Sequence, residues 1–154
     1  MKNYQNRVAI VTGAARNIGK EIATKLSSNG INVVINAIKD TEAAEGVAKE
    51  INDSGGNAIV HMADVTNQVA VNKMIEQTLN TFGRLDILVS NASIRGQISI
   101  TDMSLKEWHA VLAVPLDGAF LCAKASIPHM KMAGSGRIVT LGGISAYIGT
   151  SERV

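Results

Sequence analysis

The stretch Arg7–Gly19, RVAIVTGAARNIG, most constrains what this chain can fold into. Four apolar residues, Val8-Ala9-Ile10-Val11, run up to Thr12. Gly13 follows as a turn residue. A helical spacing then begins near Ile18, with Ile22, Ala23 and Leu26 on one face. Strand, glycine turn and helix start, in that order, form the phosphate-binding corner of a dinucleotide fold. Gly13 lets the backbone turn sharply and approach a pyrophosphate. The free N–H groups at the helix start, with its positive dipole end, then hold that pyrophosphate. A strand-to-helix turn without a ligand is the plain alternative.

The rest of the chain repeats the alternation. INVVIN at 31–36 is a second apolar strand. Asp40 or Thr41 caps a helix with Ala44, Val47, Ala48 and Ile51 on its apolar face, and Gly55-Gly56 breaks it. NAIVHM at 57–62 is a third strand. Thr66 is placed to cap the next helix, whose face is Val71, Met74, Ile75, Thr78, Leu79 and Phe82. Gly83 ends it, and Asp86–Val89 is a fourth strand. Ser104 and Glu107 have the spacing of a capping box. They open a helix carrying Val111 and Leu112, which Pro115 interrupts. A further helix carries Phe120, Leu121, Lys124 and Ile127 and breaks near Gly134. Arg137–Leu141 is a fifth strand.

Continuous apolar strands alternating with helices imply a parallel sheet covered on both faces. The expected fold is α/β: a Rossmann-like doubly wound sheet of five strands in the order 3-2-1-4-5, lacking the later strands. The 154 residues fit one domain, here an incomplete dinucleotide-binding domain over 1–154. With 46% apolar residues the chain has enough material for a core. A net charge of +2 and 3% aromatic content, with no long basic run, argue against a nucleic-acid surface. The single cysteine, Cys122, excludes an internal disulfide and fits a reducing compartment. The start MKNYQNR lacks a signal peptide's apolar core, and no apolar run reaches the length of a membrane span. A soluble cytoplasmic protein is therefore expected. His61, His109 and His129 lack metal-ligand spacing, so no metal site is expected.

Cofactor choice is readable after the second strand. That strand runs Ile35-Asn36-Ala37-Ile38-Lys39, with no carboxylate before Asp40 to bind a ribose 2′-hydroxyl. Arg16 in the glycine turn and Lys39 nearby are cations on the side where a 2′-phosphate would lie, which favours NADP over NAD. Read blandly, both are solvated loop charges. Asp64 lies at the carboxyl end of the third strand, where ligands bind in such sheets, and is equally placed to cap the helix near Thr66.

These residues resemble the short-chain dehydrogenase/reductase family. Its fingerprint T-G-x-x-x-G-x-G is similar to Thr12-Gly13-Ala14-Ala15-Arg16-Asn17-Ile18-Gly19, with Asn17 at the middle glycine. Asn is the side chain that best tolerates positive φ, so the turn survives at a strain of about 1 kcal/mol. Asp64-Val65 resembles the family's acid–amide pair at the adenine ring. Asp86-Ile87-Leu88-Val89-Ser90-Asn91-Ala92-Ser93 resembles D-I-L-V-N-N-A-G, departing at Ser90 and Ser93. The resemblance puts Asn91 beside the cofactor ribose; a structural role at a strand end is equally open. It also makes Gly13, Arg16, Asn17, Ile18, Gly19, Asn36, Asp64, Val65, Asn91 and Ala92 the cofactor-binding set.

The family's catalytic Asn, Ser, Tyr and Lys are not matched. Pro115 stands at the Asn position and Gly143 at the Ser position. Ser145 lies two residues on, and Tyr147 is followed by Ser151 where a lysine is needed. The resemblance implies an NADP-dependent reductase of the 3-oxoacyl carrier-protein type, with a small carbonyl or alcohol substrate and a homo-oligomeric state. The residues also leave open a non-catalytic nucleotide-binding or subunit-interface module, or a fragment. The chain given stops at Val154, before a sixth strand, so the fifth strand is expected to have a bare edge and to self-associate.

Overall fold

The structure, a computed structural model, describes residues 4–94 and 98–143. Five strands make one parallel sheet: β1 (Val8–Val11), β2 (Asn32–Ala37), β3 (Ala58–Met62), β4 (Ile87–Ser90) and β5 (Arg137–Thr140). Their order is β3-β2-β1-β4-β5, as the alternation of strands and helices implies. Between them run α1 (Asn17–Ser27), α2 (Thr41–Asp53), α3 (Gln68–Phe82), α4 (Leu105–Leu112) and α5 (Ala119–Met132).

Period-two side-chain alternation divides the core into two layers. Val11, Ile35 and Val89 lie on one face of the sheet and pack with Ala23, Ala44, Val47 and Ile51 of α1 and α2. Ile10, Val34 and Leu88 lie on the other face with Val71 and Met74 of α3 and Cys122 of α5. β1 is central, and all four of its residues are fully buried. The register sets Val11 against Ile35 on one side and Val89 on the other, with β2 running on to Ala37 and β4 to Ser90, so the carboxyl ends of the three strands gather at one edge. That edge carries the candidate site.

Two local expectations are corrected. Asn67, not Thr66, caps α3, accepting the Ala70 amide at 3.0 Å. Thr66 is drawn the other way: its amide and hydroxyl both donate to Asp64 Oδ1, at 2.8 and 2.7 Å. Pro115 does not break its helix. A π-helical segment, Ala113–Gly118, joins α4 to α5 directly. Proline has no N–H to donate and its ring crowds the preceding turn; the wider π turn accommodates both. The joined helix Leu105–Met132 has 28 residues and a mean hydropathy of 1.6 in its most apolar stretch. By length and composition it could cross a membrane, contrary to the expectation from a helix split at Pro115. It nevertheless carries Lys106, Glu107, Asp117, Lys124 and Lys131, and α5 buries Cys122, Ser126 and Met130. With α5 packed on β4 and α3, it forms a layer of the α/β fold. Burial also raises the Cys122 thiol to about 11, so it stays protonated at neutral pH.

At the opposite end of the sheet, Asp86 ties β1 to β4. Its carboxylate, 2% exposed, accepts the Val8 amide at 2.9 Å and a two-pronged contact from Arg84 at 2.8 and 2.6 Å. Burial alone would raise its pKa, but the Arg84 guanidinium and the Val8 amide outweigh burial and hold it below the usual carboxylate range. A depressed folded-state pKa adds stability that is fully present above the unfolded value of about 4 and is lost as pH falls through the folded value. Asp86→Ala is expected to cost about 1.5–3 kcal/mol at neutral pH. Urea unfolding of both proteins from neutral to acid pH checks this: the gap between them should narrow below about pH 4.

Candidate nucleotide-binding site

The site begins where β1 ends. Thr12 continues the strand, and Gly13 turns it with a φ of +63°. A Cβ at Gly13 would lie 3.0 Å from the Ala92 Cα atom, so both the left-handed backbone and the close approach require glycine. Asn17 opens α1 with a φ of +51°, the left-handed conformation expected of an asparagine replacing glycine. Arg16 precedes it in extended conformation, and no side chain caps the helix. The first turn of α1 contains no acidic residue.

The turn is fastened on both sides. The Ala14 amide donates to the Asn36 carbonyl of β2 at 2.9 Å, and the Thr12 amide to the Val89 carbonyl of β4 at 3.0 Å. The Thr12 hydroxyl then uses its whole capacity. It accepts the Asn91 and Ala92 amides, each at 3.0 Å, and donates to Val89 O at 3.4 Å. Asn91 closes the clamp, its Nδ2 donating to the carbonyls of Thr12 and Gly13 at 2.9 and 3.1 Å. A Cβ at Gly19 would meet Gly13 O at 2.3 Å and Asn91 Nδ2 at 2.6 Å. Gly19 is therefore demanded by this internal crowding.

Around the clamp lies a cavity of about 520 Å³. It is lined by Gly13, Arg16, Asn17, Ile18, Gly19, Asn36, Asp64, Val65, Asn91 and Ala92, the whole set singled out in the sequence. Asn36 is 2% exposed, and its Nδ2 donates to the His61 and Ala63 carbonyls at 3.2 and 3.0 Å, binding β2 to β3 beneath the cavity. Lys39 and Asp40 also line it. Asp40 is already engaged as the α2 cap, accepting the Ala43 amide at 3.1 Å. Asp64 is likewise engaged by Thr66.

Sequence reasoning missed Val114, Ile38 and Ile94, which supply apolar wall. Val114 arrives because the π segment lies against the loop after β3. A Cβ at Gly118 would sit 2.6 Å from Val65 Cγ2, so the glycine allows that approach. Pro115 lies in the same segment with no amide side chain. Gly143 is exposed just beyond β5. Ser145, Tyr147 and Ser151 lie outside the described residues.

A family model for the short chain dehydrogenases matches residues 7–152. The chain is 41% identical over 143 residues to a 3-oxoacyl-[acyl-carrier-protein] reductase of Synechocystis sp., covering 93% of this chain and 58% of that protein. It is 39% identical over 137 residues to the (2S)-[(R)-hydroxy(phenyl)methyl]succinyl-CoA dehydrogenase subunit BbsD of Thauera aromatica, covering 89% of this chain and 55% of that one. A crystal structure of a metagenomic short-chain oxidoreductase in complex with NADP superposes with a TM-score of 0.91 at 34% identity. That superposition covers 98% of this chain and 68% of the solved one. The chain belongs to the short chain dehydrogenase family and spans a little over half the length of these two curated relatives.

The clamp has a direct test. Thr12→Val keeps the shape and removes the hydroxyl, leaving the Asn91 and Ala92 amides without their acceptor. The expected loss is about 1–3 kcal/mol in urea unfolding, with Thr12→Ser much closer to the unmodified chain.

Proposed function

We propose that this chain is the nucleotide-binding part of an NADP-dependent short-chain reductase. The reaction class is hydride transfer between a nicotinamide and a small carbonyl or secondary alcohol, of the 3-oxoacyl-reductase kind. One observation carries the cofactor choice: Arg16 and Lys39 both line the cavity, at the end of a second strand that carries no carboxylate. A 2′-phosphate would find cations there, and a ribose 2′-hydroxyl would find no carboxylate within β2 or before Asp40. NAD is the weaker fit.

The residues suit such a group. Gly13 and Gly19 keep the turn free of side chains, and the uncapped start of α1 offers its amides to a pyrophosphate. Asp64 and the Val65 amide would hold the adenine end, and Asn91 and Ala92 the ribose toward β4. Val114 and Ile94 would exclude water from the far wall. When bound, the nicotinamide supplies or accepts the hydride. The superposition on an NADP complex and the reductase among the relatives support this reading.

The domain is read as one incomplete dinucleotide-binding unit over 1–154, cytoplasmic and homo-oligomeric. A second reading, a nucleotide-binding module without catalysis, is favoured by Pro115 and Gly143 at the positions of the family's Asn and Ser. Both readings share the site.

Two measurements test them. Arg16→Ala should weaken NADPH roughly 10- to 100-fold and NADH much less, followed by the fluorescence of the reduced cofactor. Equal weakening of both would overturn the NADP assignment. The chain itself should not consume NADPH with an acetoacetyl thioester at a useful rate, since general acid catalysis alone contributes roughly 10²–10⁴-fold. Robust turnover abolished by Ser145→Ala would assign that serine a catalytic role.

A further inference from the structure

Asn36 stands one residue before the end of β2 and is 2% exposed. Pairing between β2 and β3 ends at Ala37 and Met62, and the Ala63 amide still reaches the Ala37 carbonyl at 2.9 Å. Past that point the Asn36 side chain does what a strand would do. Its Nδ2 donates to the Ala63 carbonyl at 3.0 Å and to the His61 carbonyl at 3.2 Å. Both amide protons are thereby spent. A third approach, to the Ala37 carbonyl, is 3.5 Å long.

These two carbonyls fix which way the amide faces. Turned over, Oδ1 would stand against two oxygens that both need a donor. Oδ1 accepts no hydrogen bond among the described residues. Every fully enclosed side-chain nitrogen or oxygen among those residues has a partner, so Oδ1 keeps contact with open space. The space that Asn36 lines is the nucleotide cavity. The wall beside it is pinned at three successive residues. Ala63 is held by β2, Asp64 binds the Thr66 amide and hydroxyl, and Val65 lies against the π segment at Gly118. An acceptor held so firmly has to be met from within the cavity.

We infer that Asn36 recognises the adenosine half of the bound nucleotide, its Oδ1 accepting from an N–H or O–H donor of the base or the ribose. This rests on the proposed reading of the cavity as an NADP site. A ligand that fills the cavity excludes solvent from Oδ1, and a buried acceptor left unmet costs affinity. A site built around such a group discriminates strongly against ligands that lack its donor. Asn36 is bonded to the residue before Asp64 and Val65, the base end of the cavity under that reading, so the donor belongs to the adenosine. Two groups qualify: the adenine amino group and the ribose 3′-hydroxyl, since the 2′ position carries phosphate. An aspartate here would leave the Ala63 and His61 carbonyls without donors and add negative charge to a cavity that takes a phosphate. Asparagine supplies the acceptor without the charge.

Calorimetric titration with adenosine 2′,5′-bisphosphate compares Asn36→Ala with the unmodified chain. The substitution should weaken this probe about 10-fold. Two analogues then name the donor: inosine 2′,5′-bisphosphate, with an oxo group in place of the amino group, and the 3′-deoxy compound. With the analogue that lacks the recognised donor, the two proteins should bind alike, within about twofold. A gap that persists in full with both analogues would mean that Asn36 only holds β3 in place, and would overturn the inference. So would the absence of a gap with the parent probe. Nuclear magnetic resonance on the unmodified chain gives a readout that does not depend on how the variant folds. The Asn36 side-chain carbonyl carbon should shift as the probe is added, while both Nδ2 protons stay slow to exchange. A carbonyl carbon that does not move would overturn the inference and leave the proposed function standing. Failure of the probe to bind at all would overturn both.

Discussion

The Thr12 hydroxyl is the joint on which the two halves of this sheet depend. It lies at the end of the central strand and gathers two amides from residues about eighty positions away in sequence. A hydroxyl is one donor and two acceptor sites, and here all three are used. The carbonyls that remain, of Thr12 and Gly13, are taken by Asn91. The geometry of the turn is thus settled before any ligand arrives. Amides that must meet a pyrophosphate need such preorganisation, since a turn ordered only on binding would lose affinity to its own ordering entropy.

This changes the meaning of the glycines. In a phosphate-binding turn the usual account is room for the ligand. At Gly19 the first atoms that an added Cβ would strike are Gly13 O and Asn91 Nδ2. The glycine is required by the clamp, and the clamp by the turn. Asn17 shows the converse. Its position needs a left-handed backbone, and an asparagine meets that need at modest cost.

Most of the architecture was legible because burial on both faces writes itself as continuous apolar runs. Val8–Val11, the strand around Val33–Ile35 and Ile87–Val89 read correctly as parallel strands, and the α2 and α3 faces read correctly from their spacing. The cavity set was legible because strand ends in this topology converge on one edge. Two features were not. Thr66 and Asn67 are both competent caps; the choice rests on Asp64 drawing Thr66 to itself, a contact between side chains that no spacing reveals. Pro115 obeys a local rule that forbids helix, and the chain satisfies it with a wider turn instead of a break. That turn carries Val114 into the cavity wall, so missing the one meant missing the other.

Stability is correspondingly uneven across the sheet. β1 is sealed on both faces and tied at both ends, by Thr12 above and by Asp86 below. β3 has one edge residue plugged by a side chain. β5 pairs with β4 alone among the described strands, and Ile138, Val139 and Leu141 are each more than a third exposed. Opening free energies follow such contact density, so the nucleotide corner sits in the most resistant part of the fold and β5 in the least.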